Sequence, residues 1–222
     1  MSTDERLELN LKINEIFYSI QGESTYAGLP CLFIRLMGCD LRCSYCDTEY
    51  AFFEGKSKSL SEILSVAKQQ GSPLIEVTGG EPLLQRNVHP LMSLLCDEGY
   101  EVLIETSGAH DISKIDPRVK VIMDLKCPSS GESERNRMEN IPYLQKKDQL
   151  KFVMGSREDY EWLKGMIETH QLNERVGAIL VSPVFGKIDL QSMAKWILED
   201  HLPVRFQVQL HKIIWEPMTR GV

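Results

Sequence analysis

Cys31-Leu32-Phe33-Ile34-Arg35-Leu36-Met37-Gly38-Cys39-Asp40-Leu41-Arg42-Cys43-Ser44-Tyr45-Cys46 reads as an apolar strand that runs straight into a cysteine loop. The loop spaces its thiols as C-x3-C-x2-C. Structural zinc usually takes four ligands, often as two C-x2-C pairs, and no second pair exists here. Cys31, Cys96 and Cys127 stand apart without ligand spacing and read as small buried hydrophobes. Buried thiols are the other bland reading of the loop itself. Three thiolates suit a [4Fe–4S] cubane better, since they can hold three irons and leave the fourth open to a ligand.

Outward from this strand, apolar runs and helical patterns alternate. Strands are expected at Ile13–Ile20, Cys31–Leu36, Leu74–Thr78, Glu101–Thr106, Val119–Asp124, Leu150–Met154, Ala178–Val181 and Val204–Leu210. Ser59-Leu60-Ser61-Glu62 is a capping box for a helix whose apolar face is Ile63, Leu64 and Ala67, and Gly71 ends it. Ser156 caps a second helix through Tyr160, Leu163 and Ile167, and Asp189 opens a third through Met193, Trp196 and Ile197. Such alternation implies parallel βα units. A closed eight-unit barrel typically needs about 250 residues. This chain has 222 and spends the first thirty before the cysteine strand. The expected fold is therefore α/β, a partial, open (β/α) barrel with abbreviated helices, whose chemistry lies on the loops after the strand C-termini.

Composition narrows the function classes. Hydrophobic residues make up 42% and charged residues 26%, ordinary globular values. No apolar run approaches the roughly 20 residues of a membrane span, and Met1 to Lys12 lacks the apolar centre of a signal peptide. A cytoplasmic protein is expected, in a compartment where clustered thiols mean metal rather than disulfides. The net charge of −7 argues against a direct nucleic-acid partner.

Gly79-Gly80-Glu81-Pro82 follows the strand Leu74–Thr78, and Glu105-Thr106-Ser107-Gly108 ends the next strand. The glycines would let backbone approach a ligand closely, although a plain tight turn reads equally well. With the cysteine loop upstream and Tyr45 before its last thiol, the chain resembles the radical S-adenosylmethionine (SAM) superfamily. That resemblance implies a [4Fe–4S] cluster on Cys39, Cys43 and Cys46, with SAM chelated at the open iron and cleaved to a 5′-deoxyadenosyl radical.

Tyr18-Ser19-Ile20-Gln21-Gly22-Glu23-Ser24, Arg35, Cys46-Asp47-Thr48, Thr78 to Pro82 and Gln209-Leu210-His211-Lys212 narrow the likeness. Over nearly the whole chain it is similar to the 7-carboxy-7-deazaguanine synthase family. The resemblance implies conversion of 6-carboxy-5,6,7,8-tetrahydropterin to 7-carboxy-7-deazaguanine with loss of ammonia, in queuosine and deazapurine biosynthesis. It also implies SAM and Mg2+ as cofactors, a homodimer, and a low-potential electron donor such as flavodoxin. One radical SAM domain would span 1–222, with 1–30 as an N-terminal substrate-binding extension and 31–222 as the partial barrel. Ile20, Gln21, Gly22, Glu23, Arg35, Thr78 and His211 would bind the pterin. Gln21 and Glu23 suit its donor–acceptor edge, Arg35 a carboxylate. Their bland readings are an exposed loop and a structural ion pair, and for Thr78 and His211 plain strand residues. Tyr45, Cys46, Asp47, Gly79, Gly80, Glu81, Ser107, Asp124, Leu125, Lys126 and Ser182 would contact SAM. Hard cations prefer carboxylates, so chemistry alone selects Asp47 for Mg2+; the family pattern selects the Thr48 hydroxyl. Two departures stand out: Asp124-Leu125-Lys126 where the family often has Ser-Pro-Lys, and Ser182-Pro183 where it often has Gln-Pro. The alternative of similar size is an activase that places a glycyl radical on a partner protein; a non-catalytic zinc module is the third reading.

Overall fold

The computed structural model describes residues 3–222; the part of the expected 1–30 extension on residues 1 and 2 lies outside the described residues. Among the described residues nine strands form one sheet: β1 (Asn10–Ile20), β2 (Pro30–Leu36), β3 (Lys56–Ser59), β4 (Leu74–Gly79), β5 (Glu101–Thr106), β6 (Lys120–Asp124), β7 (Gln149–Met154), β8 (Ala178–Pro183) and β9 (Arg205–Phe206). Their spatial order is β3-β1-β2-β4-β5-β6-β7-β8-β9, and the two outer strands do not pair with each other. The sheet is open, as expected. β1 runs antiparallel to β2 and β3, and every pairing from β2 onward is parallel.

The helices are α1 (Thr3–Leu7), α2 (Leu60–Gln70), α3 (Val88–Asp97), α4 (Arg157–His170), α5 (Leu172–Arg175), α6 (Leu190–Glu199) and α7 (His211–Ile214). α2 starts on the full Ser59–Glu62 capping box, and Ser156 and Asp189 accept from the third backbone N–H of α4 and α6. The β5–β6 and β6–β7 crossovers carry no α-helix, only turns and short 3-10 segments. That is the abbreviation the chain length demands.

Two elements differ from expectation. β3, the polar run Lys-Ser-Lys-Ser, is a short edge strand without the apolar alternation that would announce it. The last strand is two residues long rather than Val204–Leu210. Gln207 N–H still donates to Val181 O at 2.9 Å. The next ladder donor on β8 would be Pro183, which has no N–H. The chain then turns toward the loop after β1, and His211 opens α7 instead of finishing a strand.

Alternate residues of each strand face opposite sides. Outward residues such as Ile34, Ile75, Val77, Val102, Ile104 and Phe152 pack with the helices in the main core. Inward residues Cys31, Phe33, Leu74, Leu103, Ile122 and Leu180 form a second, smaller core inside the curl. Continuing up the same inward stripes, the residues turn polar: Arg35 and Thr78, then Glu76, Glu105, Asp124 and Lys151. An apolar base under a polar top positions a site at the strand C-termini.

Candidate functional site

The polar top encloses a cavity of about 520 Å³, the size class of small-molecule sites. One wall is the cysteine loop. Ser44 anchors it from both ends of its residue, N–H to Ser130 O at 2.9 Å and Oγ to Ser129 O at 2.8 Å. Arg42 N–H donates to Glu132 Oε1 at 2.7 Å, and Asp40 accepts from Arg135 at 2.7 Å and meets His110 at 3.1 Å. Tyr45 crosses to β7, where its hydroxyl donates to Val153 O at 3.1 Å. The segment after β6 thus holds the loop from outside, and Tyr45 pins it from within.

Cys39, Cys43 and Cys46 are unoxidised, half-buried, and all three line the cavity. Burial pushes the Cys43 thiol up to about 11, helped by Asp124 and the two neighbouring thiols and opposed by Lys126. Cys39 is raised too, again mainly by burial. Among the described residues, no three Cys, His, Asp or Glu side chains are gathered tightly enough to share one ion. A cubane presents separate irons to separate thiolates, so this spaced trio fits it.

The glycine turn that ends β4 packs against the root of the cysteine loop and also lines the cavity. A Cβ on Gly80 would overlap the Gly38 carbonyl oxygen and stand 2.7 Å from Cys39 Cβ, and one on Gly79 would stand 2.5 Å from Leu36 O. Glu81 N–H donates to Gly38 O at 2.8 Å. Gly79 and Gly80 let two strand ends pack backbone to backbone, setting the root of the cysteine loop. Gly80→Ala is expected to cost about 1–3 kcal/mol, the range for overpacking. It should also lower bound iron, read by thermal melting and iron analysis of anaerobically reconstituted protein.

Glu81 is fully buried and does not reach the cavity wall. Its carboxylate accepts from Thr106 Oγ1 at 2.8 Å, Ser107 N–H at 2.7 Å and Ser107 Oγ at 2.6 Å, as well as from Leu83 N–H at 2.9 Å. It ties the ends of β4 and β5 together. Leu125 and Ser182 also stay off the wall. Leu125 belongs to the outer core, and its N–H bonds Lys151 O at 2.9 Å. The Ser182 hydroxyl is buried without a partner. The other expected SAM residues do line the cavity: Tyr45, Cys46, Asp47, Gly79, Gly80, Ser107, Asp124 and Lys126. Lys126 donates to Asp124 Oδ2 at 2.8 Å, while Asp124 Oδ1 is buried with no partner. A buried acceptor in this state lacks a donor, and a ligand hydroxyl on the cavity side fits it.

The expected pterin residues Ile20, Gln21, Gly22, Glu23, Arg35, Thr78 and His211 also line the cavity, as does Thr48, whose Oγ1 lies 3.8 Å from Cys46 Sγ. Gln21 is buried; its Oε1 accepts from Glu23 N–H at 2.9 Å and its Nε2 donates to Glu76. Arg35 Nε donates to Glu15 Oε1 at 2.8 Å, and its guanidinium lies over Phe17. His211 packs on Gly22, where a Cβ would sit 2.5 Å from Nδ1. Leu210 N–H to Gly22 O at 3.0 Å and Gln209 Nε2 to Glu23 Oε1 at 3.0 Å close the C-terminal segment over the loop after β1. Burial holds His211 below its ordinary pKa despite Glu23 and Asp47 nearby.

Glu76, Lys151 and Lys212 escape a motif-based reading. Lys151 is buried between Glu23 and Glu105, paired to both, the latter at 2.6 Å. Burial alone would raise Glu23, but Lys151 and His211 bring it down to about 2. Lys212 pairs with Asp47 at 2.6 Å, and that ammonium outweighs burial to hold Asp47 below its ordinary value. The signal for Glu76 and Lys151 was present: a single charge inside an apolar parallel strand, where runs are normally uninterrupted. Lys212 had none.

An open parallel sheet with a three-thiol loop after its first parallel strand defines a radical SAM protein, and the family model described as Radical SAM superfamily matches residues 34–128. A 7-carboxy-7-deazaguanine synthase of Koribacter versatilis is 44% identical, covering 96% of this chain and all of the relative, and one of Chlorobaculum tepidum is 46% identical over 97% and 99%. The chain belongs to the 7-carboxy-7-deazaguanine synthase family. Among solved structures, QueE from Escherichia coli superposes with a TM-score of 0.78 at 23% identity, covering 95% of this chain and 99% of that one. Streptococcus suis SuiB bound to S-adenosylmethionine gives 0.53 at 16% identity, over 78% and 45%. At these identities both likenesses concern the fold.

Proposed function

We propose that this cavity converts 6-carboxy-5,6,7,8-tetrahydropterin to 7-carboxy-7-deazaguanine and ammonia, the reaction that the resemblance implies and that fits the name its relatives carry. The observation that supports it most is one cavity lined both by three free thiols and by the Gln21, Glu23, Arg35 and His211 constellation. Cys39, Cys43 and Cys46 would hold the [4Fe–4S] cluster, which together with SAM would supply the radical chemistry for hydrogen abstraction at the pterin. Ring contraction with loss of ammonia is redox-neutral overall, so SAM would be needed only as a catalyst.

The chain's own residues bind, orient and exclude water. Gln21 and Glu23 present an amide and an ionised carboxylate to the donor edge of the heterocycle. Arg35, steadied by Glu15 and Phe17, keeps nitrogens free for a carboxylate. His211 and the 207–211 segment cover the opening. Asp124 offers its unpartnered oxygen to a ribose hydroxyl. Thr48, on the cavity wall two residues after Cys46, would offer its hydroxyl to Mg2+. A single radical SAM domain with residues 1–30 as a substrate-binding extension, a homodimer, a cytoplasmic setting and a low-potential donor such as flavodoxin belong to the same reading. Among the described residues no helix is long and apolar enough to cross a membrane.

The activase reading is not favoured, because the relatives matched over their full length carry the synthase name. The test is anaerobic reconstitution with SAM, reductant, Mg2+ and the carboxypterin. Deazapurine and ammonia are expected in equal amounts, with SAM not consumed. Cleavage of SAM with no deazapurine would overturn the substrate assignment.

A further inference from the structure

The floor of the cavity holds more carboxylates than cations. Glu23 and Glu105 share Lys151. Glu76, inward on β4 and 3% exposed, has no ion-pair partner among the described residues. One oxygen, Oε2, accepts from Gln21 Nε2; the other has no hydrogen-bond partner there, and the side chain lines the cavity. The Gln21 amide cannot turn to suit it, because Glu23 N–H holds Gln21 Oε1. The charged and titratable groups that face Glu76 are Cys31 and Arg35 on β2, Glu105 on β5, Lys151 on β7, and Glu23 on the loop after β1. Two of these are carboxylates and both bind the same ammonium. A buried, unpaired carboxylate is costly, and taking a proton removes the charge.

We propose that Glu76 is a recognition residue of this cavity, held as the neutral acid and donating its O–H to a hydrogen-bond acceptor on the bound bicyclic heterocycle. The floor then offers two complementary groups. Ionised Glu23 accepts from ligand N–H groups, and the Glu76 acid donates to a ring nitrogen or carbonyl. An all-carboxylate floor would repel such an acceptor; this one reads both sides of a pterin-like ring. Burial first, and Glu105 second, raise Glu76 well above the ordinary carboxyl range, in keeping with the geometry.

The ligand half of this inference rests on the pterin reading above, so the test has two arms. The first needs no ligand: melting of reconstituted holoenzyme, wild type against Glu76→Gln, from pH 6 to 9. A raised folded-state pKa gives stability that is present at low pH and lost as pH climbs through it. Glutamine cannot ionise, so its melting advantage over wild type should grow with pH; a constant difference overturns the acid. The second arm is calorimetric binding of the carboxypterin without reductant. The wild-type dissociation constant should rise about tenfold per pH unit once Glu76 ionises, and Glu76→Gln, which keeps a donor, should flatten that limb. Glu76→Leu, which keeps no donor, should bind about 10- to 100-fold more weakly at pH 7, the range for a lost buried hydrogen bond. Equal affinity of the leucine variant and wild type, or an unchanged limb in the glutamine variant, overturns the recognition role. No wild-type binding at any pH overturns the pterin reading and the ligand half together, while the melting arm still decides the acid.

Discussion

Cys43→Ala is expected to leave a folded chain that retains almost no iron and forms 5′-deoxyadenosine only at background. Cys43 is the middle thiol of the loop, and its neighbours Asp124, Cys39 and Cys46 all face it across the cavity. Two remaining thiolates would hold two irons of a cubane and leave the others to solvent. The scaffold does not depend on the thiol. Ser44, Arg42 and Asp40 anchor the loop through their own bonds to the 128–135 segment and to His110. Circular dichroism should therefore match wild type while the cluster absorbance disappears. Cys96→Ala is the control: Cys96 is half-buried at the end of α3, packed against the outer core. It should keep its cluster and its deoxyadenosine yield. If Cys43→Ala retained a full complement of iron, another residue would have to supply the ligand.

Local features were legible in sequence and long-range ones were not. The C-x3-C-x2-C loop, the Ser59 capping box and the 3.6-residue faces of α2, α4 and α6 each lie within one short window. Periodicity and spacing therefore find them. The open sheet followed from counting βα units against chain length. The extent of the last strand did not, because it is set by Pro183 on β8, and no window around Val204 contains that proline. Glu81 shows the same limit inside the site. Its place in Gly79-Gly80-Glu81-Pro82 suggests a ligand contact, yet the carboxylate spends its lone pairs on Thr106, Ser107 and Leu83. Only the adjacency of β4 and β5 brings those partners within reach. The Lys151 cluster is a product of register throughout: Asp124 stands beside Lys151, and Glu76 and Glu105 lie on the same inward face. A charge inside an apolar strand warns that something is there, but not which partner will meet it.

That cluster carries the largest effect expected on stability. Lys151→Met is expected to destabilise the protein by about 3–5 kcal/mol at neutral pH, the range for breaking a buried pair by removing one partner. Methionine fills much of the stem volume, so the loss is of charge rather than packing. The pH dependence distinguishes the two. In wild type Lys151 holds Glu23 near 2. That depressed pKa contributes stability above the ordinary carboxyl value of 4.5 and loses it as pH falls toward 2. Without the ammonium, Glu23 and Glu105 face each other in a site where burial favours protonated acids. The folded-state pKa of Glu23 then rises, and stability is lost as pH climbs through it. The deficit of Lys151→Met should be smallest near pH 3, where wild type has lost part of its Glu23 contribution, and should widen toward pH 8, read by chemical denaturation across that range. Adding Glu105→Gln removes one of the two stranded charges and should recover a large part of the loss at pH 8. It should recover little near pH 3, where Glu23 in the variant already holds its proton. A deficit independent of pH, or a double variant no better than the single at pH 8, would place the role of Lys151 in packing. The polar floor would then owe its arrangement to shape rather than to charge.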